Sequence, residues 1–189
     1  MKVIWIRHAE PDFAYSDDAT RPLTEKGRSD SKALETVFND ETIHAIYASP
    51  YIRAIETVKP IADALGLPVQ TIDDLRERKI TDHWIDDFEG FVKKQWQDFS
   101  YHLANGESLA VVQKRNINVL MDLIKRHAGQ TIVIGTHGTS LSTIIQYFEP
   151  DFGLQDFLAL KDKMPLVIEM TFNEGIYQGF KHYGIKSRE

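Results

Sequence analysis

The sequence KVIWIRHAE, residues 2–10, begins with a short apolar run and ends in charged side chains. Residues 2–6 are rich in β-branched and aromatic side chains, which is typical of a strand buried on both faces. Strands of this kind belong to parallel sheets that helices cover on both sides. We therefore expect an α/β protein in which Arg7 and His8 directly follow a central strand.

Helical and strand-like patterns alternate along the rest of the chain. The predicted helices span residues 24–38, 50–65, 108–127, 138–149 and 154–160, and Thr24 is the expected N-cap of the first. The further predicted strands span residues 43–48, 69–72, 131–135, 166–172 and 176–183. This order predicts a three-layer α/β/α architecture with a mainly parallel central sheet, in which the last two strands form an edge hairpin.

The composition excludes several classes of function. The net charge of −6 argues against a protein that binds nucleic acid or an anionic membrane through bulk electrostatics. The sequence has no cysteine, which excludes disulfides and thiolate metal sites and is compatible with a reducing compartment. With no run of about 18 apolar residues, we expect a cytoplasmic protein without a membrane partner.

Polar side chains follow several of the predicted parallel strands. Arg7 and His8 follow the first strand, Ser49 follows the second, and residues 136–138 (THG) follow the strand at 131–135. Open α/β sheets bind ligands beyond the carboxyl ends of their strands. We therefore expect these residues to meet at one edge of the sheet.

The residue types at this edge suit phosphate chemistry. A neutral histidine can attack phosphorus when its other ring nitrogen keeps its proton, for example by donating to a backbone carbonyl, and His8 is the candidate. The planar fork of an arginine matches phosphoryl oxygens, which suggests Arg7 and also Arg53 in the first turn of a helix. His137, flanked by glycines, is a candidate donor to the transferring group.

The chain resembles the histidine phosphatase superfamily, also called the phosphoglycerate mutase-like family. The matching fragments occur in the family's order at residues 7–10 (RHAE), 22–27 (PLTEKG), 48–57 (ASPYIRAIET), 75–78 (LRER), 106–108 (GES) and 135–138 (GTHG). The resemblance implies that His8 is phosphorylated and that Arg7, Arg53 and His137 form the phosphate pocket. It also implies that Glu77 is the proton donor, and that neither a metal nor a cofactor takes part.

Two features depart from the family's pattern. Ala9 stands where the family has glycine after the Arg-His pair, and residues 79–90 (KITDHWIDDFEG) lack the family's Gly-x-Trp-Glu-Gly run. We expect one domain, 1–189, with a helical insertion at about 79–105 that covers the active site. Aromatic residues in this insertion would most often belong to the core or to the cover that the insertion forms, and a hydrophobic wall for the substrate is the alternative. These residues are Trp84, Phe88, Phe91, Trp96 and Phe99.

The loop 16–24 (SDDATRPLT) resembles that of the protein phosphohistidine phosphatases in the same superfamily. This resemblance suggests that Arg21 lies near the phosphate, the alternative being a loop-anchoring salt bridge. Those phosphatases generally lack a carboxyl at the position of Glu77, which favours phosphate monoesters as substrates. A metal site on His8, Glu10 and Asp12 has no supporting spacing.

The predicted function is a phosphatase that hydrolyses a phosphomonoester through a phosphohistidine on His8. A small phosphorylated metabolite is the expected substrate, with a phosphoprotein as an alternative. The alternative functions are phosphoryl transfer of the phosphoglycerate mutase type, a protein phosphohistidine phosphatase, and a non-catalytic phosphate-binding regulatory domain. The sequence does not predict the oligomeric state.

Overall fold

The computed structural model describes residues 1–38, 41–83 and 85–183 of the chain. The strands are β1 (Lys2–Arg7), β2 (Ala45–Ala48), β3 (Val69–Thr71), β4 (Thr131–Thr136), β5 (Leu166–Asn173) and β6 (Ile176–His182). The helices are α1 (Glu25–Ala33), α2 (Ile52–Leu65), α3 (Phe88–Gln97), α4 (Leu109–Arg126), α5 (Gly138–Phe148) and α6 (Leu154–Leu160). No helix in these ranges is long and apolar enough to cross a lipid bilayer.

The strands form one mixed sheet in the order β3-β2-β4-β1-β5-β6. β1 pairs in parallel with β4, and β2 pairs in parallel with both β4 and β3. β5 is antiparallel to β1 and to β6, and the turn between β5 and β6 contains Glu174 and Gly175 at positive φ. The predicted mainly parallel sheet with a hairpin at its edge is therefore confirmed.

The two faces of the sheet bury two separate apolar clusters, and β1 contributes to both. Val3 and Trp5 belong to the cluster that α4 and α5 cover. Ile4 and Ile6 belong to the opposite cluster, which α2 and the segment after α1 cover. Because successive side chains of a strand point to opposite faces, a strand buried on both faces has an unbroken apolar sequence. This arrangement explains the pattern of residues 2–6.

Several boundaries differ from the sequence prediction. The helix capped by Thr24, whose side chain accepts from the backbone of Gly27, ends at Ala33 and tightens into a 3-10 turn at Leu34–Thr36. Such turns are common at helix ends because they satisfy the last carbonyls. Among the described residues of the predicted insertion 79–105, the helical part is α3 alone.

The aromatic residues predicted in the insertion have different environments. Phe91 is buried, and the ring of Trp96 packs 5.5 Å from Phe99 and 5.4 Å from Phe157 of α6. Phe88 is 46% exposed and does not belong to the core, and Trp84 lies outside the described residues. That the insertion covers the active site stays a prediction.

A close backbone approach explains the glycine inside α1. A Cβ atom at Gly27 would lie 2.3 Å from the carbonyl oxygen of Glu10. Thr24 reinforces this contact, because its backbone N–H donates to the same oxygen at 3.0 Å and its hydroxyl donates to the Glu10 carboxylate at 2.9 Å. The start of α1 thereby holds the segment that follows His8.

Candidate active site

The carboxyl ends of β1, β2 and β4 lie side by side and carry the predicted residues. Arg7 is in register with Thr136, and the backbone of His8 continues the pairing by donating to the Thr136 carbonyl at 3.0 Å. The backbone of Ser49 donates to Gly135 at 2.9 Å. Residues 7, 8, 49 and 137 thus meet at one edge of the sheet, which is the convergence expected from the sequence.

His8 is buried and held in a defined orientation. Its Nδ1 lies 2.8 Å from the carbonyl oxygen of its neighbour Ala9. Because a carbonyl only accepts, Nδ1 carries the proton and Nε2 has a free lone pair. Burial lowers the pKa of His8 well below its usual value, and the nearby guanidinium charges of Arg53 and Arg7 lower it further. The imidazole is therefore neutral, which is the nucleophilic form.

The loop after His8 accommodates an alanine at position 9. Ala9 is fully buried, and its backbone N–H donates to the hydroxyl of Thr57 at 3.0 Å. That hydroxyl donates in turn to the carbonyl of Arg53 at 2.7 Å. Thr57 therefore ties the loop of His8 to the helix of Arg53, a contact that the sequence analysis did not foresee.

His137 is fully buried next to His8, with their ring centroids 5.3 Å apart. Its Nε2 forms a 2.7 Å hydrogen bond with the hydroxyl of Ser49, and among the described residues no group hydrogen-bonds its Nδ1. Burial, followed by the charges of Arg53, Arg115 and Arg7, lowers the pKa of His137 well below its usual value. Ser49, which sequence reasoning placed at this edge without a role, orients the ring.

The guanidinium of Arg7 lies against the start of α5. Its Nη1 donates to the carbonyl of Leu160 at 2.7 Å and to that of Lys163 at 3.3 Å, at the carboxyl end of α6. A Cβ at Gly138 would lie 3.2 Å from the Arg7 guanidinium carbon, so glycine gives the guanidinium room. Carbonyls at a helix end interact favourably with a cation and hold it in place.

Arg53 is 3% exposed and lies in the first turn of α2. Its guanidinium carbon is 5.0 Å from the ring centroid of Tyr51, whose ring is 5.2 Å from that of His137. Its charged partner is Asp18, with 3.3 Å between Arg53 Nη1 and the carboxylate. The structure thus places Arg53 beside His137, as the sequence suggested.

Arg21 contacts its own loop. Its Nε donates to the carbonyl of Tyr15 at 2.9 Å, its Nη1 donates to Asp18 at 2.8 Å, and its guanidinium lies 5.1 Å from the centre of the Phe13 ring. These are the contacts of the loop-anchoring alternative. Asp18 also pairs with Arg53, so its carboxylate links Arg21 to an arginine of the predicted phosphate pocket. A contact of Arg21 itself with phosphate stays a prediction.

Glu77 lies at the amino end of α5, the helix that follows His137. One carboxylate oxygen accepts from the backbone of Thr139 at 3.0 Å, and the other accepts from the backbone of Ser140 at 3.2 Å and of Arg78 at 2.7 Å. Free N–H groups at a helix start favour an anion. This position brings a carboxyl group to the same edge of the sheet as His8.

A buried ion pair that sequence reasoning missed holds the segment of Glu77. Arg115 of α4 is 7% exposed and donates to both carboxylate oxygens of Glu107, at 2.9 and 3.0 Å. The same guanidinium donates to the carbonyls of Asp74 and Arg76 at 2.7 Å and of Glu77 at 3.2 Å. The sequence signals that could have indicated this ion pair were a charged residue next to the apolar stripe of α4 and the glutamate of the GES fragment.

A family comparison agrees with this geometry. A sequence model of the histidine phosphatase superfamily, branch 1, matches residues 3–178. The chain belongs to the histidine phosphatase superfamily. Within the described part of this superfamily member, no group of three or more histidine, aspartate or glutamate side chains is arranged to hold a metal ion.

Individual relatives of this histidine phosphatase superfamily member are distant in sequence. It is 29% identical to phosphoserine phosphatase 1 of Hydrogenobacter thermophilus over 152 residues, which are 72% of this chain and 71% of that protein. It is 28% identical to phosphoglycerate mutase-like protein 4 of Arabidopsis thaliana over 169 residues, 79% of this chain and 71% of that protein. Its fold matches Bacillus stearothermophilus YhfR with a TM-score of 0.78 at 24% identity, covering 94% of each chain.

The buried histidines predict how stability depends on pH. The fold keeps His8 and His137 neutral, whereas the unfolded chain protonates both below their ordinary pKa of 6.5. The unfolded state therefore binds more protons as the pH falls, and each histidine lowers the free energy of unfolding by roughly 1.4 kcal/mol per pH unit in that window. Denaturant titrations at about pH 7 and about pH 5.5 measure the loss.

In the His8→Asn variant, the loss in the free energy of unfolding between the two pH values should be smaller by the contribution of one histidine. His182→Asn, on the exposed edge strand β6, controls for removal of a histidine elsewhere. An unchanged pH dependence in His8→Asn would contradict the lowered pKa of His8.

Proposed function

We propose that the protein is a metal-independent phosphatase that hydrolyses phosphomonoesters through a phosphohistidine on His8. The observation that carries the proposal is the neutral imidazole of His8, with Nδ1 held by the Ala9 carbonyl and Nε2 free, beside the guanidinium of Arg53. A nucleophile and a cationic pocket at the ends of parallel strands are what phosphoryl transfer needs. We also propose a cytoplasmic location.

The first step transfers the phosphoryl group to His8. Nε2 attacks phosphorus and forms a P–N bond, while the P–O bond to the leaving group breaks and Glu77 gives a proton to the departing oxygen. Arg7 and Arg53 offset the charge on the phosphoryl oxygens, and neutral His137 donates a hydrogen bond to them. The Nδ1–H hydrogen bond to Ala9 stabilises the positive charge that develops on the ring.

The second step releases phosphate. Water attacks the phosphohistidine, Glu77 takes a proton from that water, and the P–N bond breaks to return neutral His8. Glu77 is positioned for both steps by the α5 backbone and by the Arg115 contact to its segment. A carboxyl group with this double role favours ester substrates, whose alkoxide leaving group needs a proton, over phosphohistidine proteins.

The similarity to phosphoserine phosphatase 1 supports a small phosphomonoester with an alkyl leaving group as the substrate. A screen of phosphorylated metabolites and one phosphoprotein, with free phosphate and isomerised product both quantified, tests this assignment. Free phosphate is the expected product, and an isomer without phosphate release would indicate a mutase. Activity should persist with a chelator present, as expected of metal independence.

Removal of the nucleophile should abolish turnover. We expect His8→Ala to lose at least about a thousandfold in kcat/KM, because the variant lacks the imidazole that forms the covalent intermediate. Alkaline quenching of wild type mixed with labelled substrate should trap base-stable, acid-labile phosphate on the protein, and His8→Ala should trap none. Wild-type turnover in His8→Ala would contradict the mechanism.

The proton donor should matter most for poor leaving groups. We expect Glu77→Gln to lower kcat/KM for an alkyl phosphate roughly a hundredfold or more, and for a nitrophenyl phosphate much less, because nitrophenolate leaves without a proton. The parameter kcat/KM reports phosphorylation of His8, so slow hydrolysis of the intermediate does not mask the difference. Equal losses with both substrates would contradict this role of Glu77.

Loss of the Arg115 guanidinium should affect the same comparison of kcat/KM between the alkyl phosphate and the nitrophenyl phosphate. Arg115→Lys keeps the charge but cannot bind Glu107 bidentately and also reach the carbonyls of residues 74, 76 and 77. We expect a fall of roughly tenfold in kcat/KM for the alkyl phosphate and a smaller fall for the nitrophenyl phosphate. Arg126→Lys, on an exposed position of the same helix, is the matched control. Equal falls with the two substrates would indicate a purely structural role for Arg115.

A further inference from the structure

The loop between His8 and α1 places a carboxylate on the predicted phosphate-binding arginine. The backbone carbonyl of Asp18 accepts from Arg53 Nη1, and its carboxylate lies 3.3 Å from Nη1 and 3.4 Å from Nη2 of the same guanidinium. The carboxylate also accepts from Arg21 Nη1 at 2.8 Å. Asp18 therefore occupies donors on two of the arginines assigned to phosphate.

We propose that Asp18 is a built-in competitor of phosphate: in the free enzyme its carboxylate occupies Arg53 and Arg21, and the phosphoryl group of substrate or product displaces it. The proposal rests on the proposed function, because it takes these arginines as the phosphate ligands. It adds a residue that sets the affinity for anions and takes no part in the chemical steps.

The competition follows from the shared chemistry of the two anions. A guanidinium binds a carboxylate and a phosphate through the same N–H donors. The donors that face Asp18 therefore cannot bind its carboxylate and a phosphate at full strength at the same time. Arg53 is buried, with its side chain 4% exposed, and an unpaired guanidinium there would be costly. The Asp18 carboxylate supplies the missing charge while the pocket is empty.

The exposure of the two partners indicates which one moves. The side chain of Asp18 is 48% exposed, so water can take over its hydrogen bonds when it rotates away. Among the described residues, the Asp18 carboxylate has hydrogen bonds or ion pairs with Arg53 and Arg21 alone. Arg53 is fixed in the first turn of α2, beneath the ring of Tyr51, and has no comparable exit.

The main chain of the loop can stay in place during this exchange. The carbonyl of Ala19 accepts from the backbone of Ile52 at 3.0 Å, and the side chain of Asp17 accepts from the backbone of Ala19 at 2.8 Å. These bonds hold the loop at the start of α2 without using the carboxylate of Asp18. Rotation of the Asp18 side chain therefore releases the donors that face its carboxylate, while the Asp18 carbonyl keeps its hydrogen bond from Arg53 Nη1.

The test is the affinity of the full-length protein for inorganic phosphate, measured calorimetrically at constant ionic strength. We expect Asp18→Asn to bind phosphate roughly tenfold more tightly than wild type, because the weak amide contact replaces a charged competitor. Phosphate should also become a stronger product inhibitor, with KM falling by a similar factor. The phosphate affinity is a binding measurement, so its outcome is independent of the experiment that traps phosphate on His8.

Asp17→Asn is the matched control. It removes the same charge one residue away, and an asparagine oxygen can still accept from the backbone of Ala19. Phosphate affinity in Asp17→Asn should stay within about twofold of wild type, since exposed charges are screened.

Four results would overturn the proposal. Equal tightening in Asp17→Asn and Asp18→Asn would indicate bulk electrostatics. Unchanged affinity in Asp18→Asn, or no phosphate binding in any of the proteins, would remove the competition. Weaker binding in Asp18→Asn would show that Asp18 orients Arg53 instead. If Asp18→Asn has unchanged phosphate affinity yet hydrolyses substrate, the competition fails while the proposed function stands.

Discussion

Parallel pairing of β1 with β4, and of β4 with β2, positions the groups that meet at the candidate site. The register brings Arg7 opposite Thr136 and Ala48 opposite Gly135, so the residues that follow these three strands emerge together. A shift of one residue would turn the apolar side chains of β1 to the wrong faces and would move His8 away from His137. The two buried clusters on either side of the sheet make such a shift costly, so the packing of the core also determines the geometry of the site.

The site concentrates positive charge in a chain whose net charge is −6. Each cation has a compensating group: helix-end carbonyls for Arg7, the carboxylate of Asp18 for Arg53, and Glu107 with backbone carbonyls for Arg115. The histidines among these cations stay neutral because burial and like charges lower their pKa. The proposed function therefore assigns recognition of an anionic substrate to a few placed donors within a chain of negative net charge.

Further contacts connect the candidate site to the predicted insertion. Arg78, the neighbour of Glu77, is buried, donates to Gln95 of α3, and has its guanidinium 5.1 Å from the centre of the Phe91 ring. Gln95 donates in turn to the carbonyl of Glu107 at 3.0 Å. The segment of Glu77 is thus held on one side by α4 and on the other by α3, so that the position of the carboxyl group depends on both helices.

The sequence by itself determined the α/β class, the order of the elements and the edge hairpin, because apolar periodicity and a capping residue such as Thr24 act over a few neighbouring positions. Through the order of the family's motifs, it also suggested the residues of the predicted phosphate pocket. Only the tertiary structure decided the partners: Ser49 with His137, Thr57 with Ala9, Arg115 with Glu107, and Asp18 with Arg53. These contacts depend on how distant segments pack, and an isolated Asp18 or Arg115 carries no local pattern that names its partner.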